Sequence, residues 1–223
     1  MNRSLTVRAV LFDLDGTLID SAADLAHAAN LALAGAGYPP RPVTEVQAFI
    51  GDGAEKLIHR CLTGELHRDA DPDLHAATYA NFQSHYAKCL LDRTRPYPGV
   101  VETLENLKAR GIALGCVTNK PERFTLPLLE GLGLSRYFRI TLGGDTLRSK
   151  KPDPAPLLHA AKHCDADRDT ATMVGDSLTD LRAARAALMR IVCVDYGYSG
   201  QVDLSTHAPD ALISDLRDLL PLL

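Results

Sequence analysis

No stretch of the 223 residues approaches the roughly 18 consecutive apolar positions that a membrane-spanning helix requires. The stretch Met1 to Phe12 carries Arg3 and Arg8 but lacks the apolar run and small-residue cleavage site of a secretory leader, so no signal peptide is expected. A basic excess is missing too. Lys and Arg number 24 against 28 Asp and Glu, a net charge of −4 with an isoelectric point near 6.0. That balance provides no electrostatic footprint for nucleic acid or an anionic membrane, and neither is expected as a partner. The five cysteines, Cys61, Cys89, Cys116, Cys164 and Cys193, contain no CxxC pair and are odd in number. Neither a disulfide framework nor a zinc knuckle is suggested, and a reducing cytoplasm fits best. Repeats and low-complexity tracts are absent. What remains is an ordinary globular composition, 46% hydrophobic and 23% charged, able to bury a core and unlike disordered, collagen-like or coiled-coil chains.

Short apolar runs rich in β-formers recur at Val7 to Phe12, Ile112 to Val117, Phe138 to Leu142, Ala171 to Val174, Ile191 to Val194 and Ala211 to Ile213. Helical stripes separate them, such as Val100, Leu104 and Leu107, or Leu178, Leu181, Ala184 and Leu188. This alternation predicts an α/β fold, a doubly wound parallel, Rossmann-like sheet with helices on both faces. In such sheets ligands bind just beyond the carboxyl ends of the strands.

From about Thr17 to Asp92 the alternation stops, leaving helical patterns and no convincing strand. Ser21 is placed to cap a helix carrying Leu25, Ala28, Ala29, Ala32 and Leu33, ending near Gly35 or Gly37. A second stripe, Ala54, Leu57, Ile58, Cys61 and Leu62, follows the turn Gly51-Asp52-Gly53, and a third helix is expected over Leu74 to Leu90 with Tyr79, Phe82 and Tyr86 facing inward. Residues 17–92 therefore read as a helical insert, with 1–16 and 93–223 forming the main domain.

Polar clusters follow four strands. They are Asp13-Leu14-Asp15-Gly16-Thr17, Thr118-Asn119, Lys150-Lys151-Pro152 and Gly175-Asp176-Ser177-Leu178-Thr179-Asp180. Singly, each has a bland reading as a turn, a helix cap or an exposed lysine pair. Independent turns have no reason to supply four carboxylates, short polar donors and a lysine at one edge of one sheet. Four neighbouring carboxylates repel one another unless a cation joins them, and an oxygen-only donor set without His or Cys favours Mg²⁺. The eight histidines lie away from these clusters and read as surface or helix residues. Magnesium beside a lysine and small donors suits phosphoryl transfer.

The four clusters resemble the four motifs of the haloacid dehalogenase superfamily. The resemblance implies that Asp13 is a nucleophile forming an aspartyl-phosphate and that Asp15 is the general acid and base. It further implies that Thr118 and Asn119 hold the phosphoryl oxygens and that Lys151 links phosphate to Asp13, with Lys150 the alternative. Mg²⁺ would be held by Asp13, the backbone carbonyl of Asp15, and Asp176, while Asp180 acts through water or orients the surrounding groups. A second aspartate at Asp15 points to a phosphatase or phosphomutase, and the insert resembles a cap that closes over small phosphomonoesters. Asp24-Leu25-Ala26, Gly37-Tyr38-Pro39-Pro40 and Ile50-Gly51-Asp52-Gly53-Ala54 are similar to the phosphoglycolate phosphatase branch, so hydrolysis of 2-phosphoglycolate by a monomer or homodimer is the expectation. Gly51-Asp52-Gly53 backbone groups or Lys56 are candidates for meeting the substrate carboxylate. The rivals are a phosphosugar mutase, a pyrophosphatase, another sugar or nucleotide phosphatase on the same site, and a non-catalytic phosphate-binding module.

Overall fold

The computed structural model describes residues 7–199 and 202–223; of the stretch inspected for a leader, Met1–Thr6 lies outside them. In chain order the elements are β1 (Ala9–Phe12), β2 (Ile19–Asp20), α1 (Ala22–Gly35), α2 (Val43–Ala48), α3 (Ala54–Thr63), α4 (Pro72–Cys89), β3 (Arg95–Pro96), α5 (Val100–Ala109), β4 (Ala113–Val117) and α6 (Glu122–Gly131). They continue with β5 (Ile140–Leu142), α7 (Ala155–His163), β6 (Ala171–Gly175), α8 (Leu178–Ala186), β7 (Arg190–Val194) and β8 (Ala211–Ile213). Six strands form a parallel sheet in the order β5-β4-β1-β6-β7-β8, as the apolar runs predict.

Strand β1 shows why these runs read as continuous. Val10 and Phe12 pack into a cluster with Leu104, Leu107 and Leu128 of α5 and α6, whereas Ala9 and Leu11 pack into another with Leu157, Ala160 and Ala183 of α7 and α8. Successive side chains point to opposite faces and both faces are covered by helices, so every position must be apolar.

The helices α1 to α4 build a third cluster, centred on Leu25, Ala29, Ile58, Phe82 and Tyr86, which also takes in Phe124 of α6. The chain leaves the sheet through β2 and returns through β3, which pair antiparallel as Ile19↔Pro96 and Asp20↔Arg95. The reading of no strand between 17 and 92 is thereby corrected, because two-residue strands are too short to show an alternating period. Buried Asp24 of α1 fastens the return, its Oδ2 accepting from Thr94 N and Thr94 Oγ1, each at 2.8 Å. Helix α2, which no apolar stripe announces, starts after Pro42, whose fixed φ suits the entry to a helix. Helix α4 begins at Pro72, capped by Asp71, rather than at Leu74. Phe82 and Tyr86 are buried as expected, with Tyr79 only partly so.

All five cysteines are unpaired and buried. Among the described residues no helix is long and apolar enough to cross a membrane.

Candidate active site at the carboxyl edge of the sheet

Asp13, Thr118 and Asp176 are the first residues after β1, β4 and β6. Phe12 is in register with Cys116 on one side and Val174 on the other, so Asp13 leaves its strand within one residue of the level of Thr118 and Asp176 on the neighbouring strands. Lys151 reaches the same point from the segment between β5 and α7. Its Nζ lies 2.9 Å from Asp13 Oδ1 and 2.6 Å from Asp180 Oδ1, and the residue is 2% exposed. The neighbouring Lys150 instead donates to Asp52 O at 3.1 Å. Lys151 is therefore the lysine that stands against Asp13.

Asp13 Oδ1 also accepts from Leu14 N at 2.7 Å. Among the described residues its Oδ2 accepts from nothing, so one oxygen is pinned and the other is available. Asp176 is held at both oxygens, Oδ1 by Thr17 Oγ1 at 2.8 Å and Oδ2 by Tyr198 N at 2.6 Å. Asp180 closes a capping box with Ser177 at the start of α8 through Oδ2 and gives Oδ1 to Lys151. Gly16 makes the close packing feasible. Its φ is +86°, and a Cβ there would sit 2.2 Å from Asp176 Oδ2.

Asp13, Asp176 and Asp180 each offer a carboxylate oxygen within 4.8 Å of the others. A buried, all-oxygen set of this kind fits a hard divalent cation, and the strain within the set says the same. Burial, followed by the neighbouring Asp180, pushes Asp13 up to about 7 despite Lys151 and the Leu14 N–H, and Asp176 is raised by burial, Asp180 and Asp13. Both folded-state values lie above the ordinary 3.8. Between about pH 4 and pH 7 the folded chain thus holds protons that the unfolded chain has lost, and this contribution to stability declines as pH rises through that window. The Tm of chelator-treated protein, followed by calorimetry, is expected to fall across that interval, and a saturating divalent cation is expected to restore it at pH 7. A Tm indifferent to the cation would contradict the ion site.

The expectation that four carboxylates converge is corrected. The Asp15 carboxylate is outside the group. It turns toward a cavity, where Lys120 Nζ approaches its Oδ1 at 3.0 Å and its Oδ2 at 2.9 Å and Ser21 Oγ donates to Oδ1. Ser21 accordingly stands at the start of α1 without capping it through its side chain. Thr118 Oγ1 accepts from Lys120 N at 3.2 Å, which leaves its own proton free to donate. Asn119 spends Nδ2 on Lys151 O at 2.9 Å and Gly51 O at 3.2 Å, tying the loop ahead of α3 to the sheet edge.

The cavity has a volume of about 40 Å³. Asp13, Asp15 and Thr118 line it together with Leu25, Leu57 and Phe82 from the helical cluster. Its outer loop is latched by Asp52, which accepts from Thr179 Oγ1 at 2.8 Å and from Arg60. Although burial raises Asp52, the bonds from Arg60 and Thr179 hold its carboxyl below the usual range.

A model of haloacid dehalogenase-like hydrolases matches residues 10–194, which span all four clusters. The chain belongs to this hydrolase family. Among its relatives, a phosphoglycolate phosphatase of Nitrosospira multiformis is 45% identical over 223 residues, covering 100% of this chain and 98% of the relative. One from Thiobacillus denitrificans is 44% identical over 214 residues, covering 96% and 94%. The crystal structure of a predicted phosphoglycolate phosphatase from Haemophilus somnus superposes with a TM-score of 0.90 at 34% identity, covering 97% of each chain.

Within this family member, sequence reasoning passed over Lys120 and Tyr198, and it gave Ser21 only as a helix cap and Thr17 only as the last residue of the first cluster. Lys120 directly follows the Thr118-Asn119 pair, so its neighbourhood was the available signal, but its burial depends on rings from distant elements. The histidines do stand apart from the site. His159 and His163 nevertheless have the i, i+4 spacing of a helical metal pair; their rings lie 4.3 Å apart on α7, and His163 is exposed. Lys56 is not at the cavity, since it pairs with exposed Asp69 at 2.8 Å.

Proposed function

We propose that the chain is a Mg²⁺-dependent phosphomonoesterase that hydrolyses 2-phosphoglycolate to glycolate and phosphate. The observation that carries this reading is the small cavity with Asp13 and Asp15 on its wall, one aspartate with an unengaged oxygen and the other placed to exchange a proton. The cavity is small, about 40 Å³, and the helical cluster shares its wall, an arrangement that suits a compact leaving group. The names of the relatives from Nitrosospira multiformis and Thiobacillus denitrificans support the same substrate.

In this reading Asp13 Oδ2 attacks phosphorus while Oδ1 stays fixed by Leu14 N and Lys151. Asp15 protonates the departing glycolate oxygen and then takes the proton of the water that opens the phospho-aspartate. The Thr118 hydroxyl donates to a phosphoryl oxygen, and the backbone N–H of Asn119 joins it, because the Asn119 side-chain donors are already used. Lys151 balances charge as the bond forms. Asp13, Asp176 and the Asp15 carbonyl, with Asp180 alongside, would hold Mg²⁺, which would supply charge neutralisation for the phosphoryl oxygens and for Asp13. Residues 17–92 act as the cap that closes over the substrate and excludes water. A cytoplasmic location is consistent with five unpaired thiols.

Phosphate release across a panel of small phosphomonoesters, sugar phosphates and nucleotides, with Mg²⁺ and with chelator, tests the assignment. The expected result is Mg²⁺-dependent release that is fastest with 2-phosphoglycolate. A mutase would isomerise its substrate with little free phosphate, and a binding module would release none; either outcome removes the reading.

A further inference from the structure

A buried cation in a cavity wall has to answer either the protein or a ligand. Lys120 is 6% exposed, and among the described residues its ammonium donates only to Asp15, although it carries three N–H groups. Its Nζ lies 4.8 Å from the centroid of the Tyr86 ring. That ring is fixed by an edge contact with Phe124 at 5.1 Å and a stack on Phe82 at 5.5 Å. Tyr86 is 1% exposed, and its hydroxyl is a buried side-chain oxygen with no partner. Such a group is costly unless something else satisfies it. Lys120 and Tyr86 both line the cavity that Asp13 and Asp15 share.

We propose that Lys120 Nζ and the Tyr86 hydroxyl form a carboxylate subsite, holding the acid group of the leaving alcohol and selecting phosphorylated 2-hydroxy acids over phosphomonoesters of uncharged alcohols. The inference rests on the phosphomonoesterase reading and deepens it. In 2-phosphoglycolate the carboxyl group is one methylene from the bridging oxygen. Lys120 already touches the aspartate that serves this oxygen, so the spare N–H is placed beside the acid group of a substrate seated there. Two cations of the neighbouring loop and helix are already engaged, Lys150 with Asp52 O and Arg60 with Phe49 O and Asp52. Burial keeps the Tyr86 phenol protonated and hence a donor. An ammonium with a remaining donor and an unpartnered phenol, both on residues that line the same small space, match a compact anion. The surrounding Leu25, Leu57 and Phe82 offer a neutral alcohol no comparable partner.

The test compares kcat/KM for 2-phosphoglycolate and for 2-hydroxyethyl phosphate, which replaces the carboxylate by CH₂OH, in wild type, Lys120→Met and Tyr86→Phe. Wild type is expected to prefer the carboxylate substrate about 100-fold, with Lys120→Met reducing that ratio by about tenfold or more and Tyr86→Phe by about threefold or more. The ratio is read because a general loss of catalysis or packing lowers both rates and leaves it unchanged. Should Lys120→Met fail to fold, Tyr86→Phe still decides, since it keeps the ring and removes only the unpartnered oxygen. A wild-type ratio retained in the folded variants overturns the subsite while leaving the phosphatase intact. A wild type that hydrolyses 2-hydroxyethyl phosphate but not 2-phosphoglycolate overturns the substrate reading itself.

Discussion

Replacing Asp13 by Asn is expected to lower kcat by about 10⁴-fold or more and to leave no acid-stable or trappable phosphoenzyme, because an uncharged amide cannot attack phosphorus. The fold should survive. Without a cation, burial and Asp180 already push Asp13 up to about 7, so Asn imitates the neutral form that the ion-free site favours near neutrality. Lys151 keeps its 2.6 Å contact with Asp180. The ion-free variant should consequently melt within a few degrees of wild type and lose part of the pH dependence of Tm, while its Mg²⁺ affinity falls. Rapid acid quench during a single turnover is the decisive measurement. A phospho-protein that forms in Asp13→Asn, or a variant retaining about a tenth of wild-type kcat, would remove Asp13 from the nucleophile's role.

How far the sequence discloses this site depends on whether a feature is local. The strands are legible because burial on both faces leaves an uninterrupted apolar run, and the parallel order then makes the residues after β1, β4 and β6 the place to look. Asp13, Thr118 and Asp176 are therefore legible from their positions along the chain. The direction of Asp15 is not. It is set by the left-handed turn at Gly16 and by Lys120, whose own position depends on Tyr86 in α4 and Phe124 in α6. A lysine next to a polar pair reads as solvated until those rings are known to cover it. Helix α2 and the β2–β3 pair escape for a different reason, since elements of six and two residues span too few repeats of the roughly 3.6- and 2-residue periods to be detected. Asp24 has no local mark either, because its partners Arg93 and Thr94 lie at the far end of the helical segment.

Replacing Lys151 by Met is expected to cost about 3–5 kcal/mol of stability, the usual scale for removing one partner of a buried ion pair. For a chain of this size that corresponds to a fall in Tm of about 6–20 °C. The reason lies in what is left behind. Lys151 is almost fully buried between Asp13 at 2.9 Å and Asp180 at 2.6 Å, and Asp176 adds a third carboxylate within 4.8 Å. Burial alone would pull the ammonium down, but Asp13 and Asp180 more than offset it and hold Lys151 above an ordinary lysine, so the charge is present at every working pH. Activity should fall by about 10²-fold or more, because the cation that balances Asp13 during bond formation is lost. The two losses separate under Mg²⁺. A saturating ion neutralises the abandoned carboxylates and should recover part of the Tm, but it cannot replace the Nζ contact and should not recover kcat. A double variant supplies the sharper test. If Lys151 stabilises chiefly by answering Asp180, then Lys151→Met with Asp180→Asn is expected to melt higher than Lys151→Met alone, because the second substitution removes a charge that no longer has a partner. Strictly additive losses in that cycle, or a Lys151→Met protein that melts with wild type, would show that the buried lysine is dispensable to the carboxylate cluster.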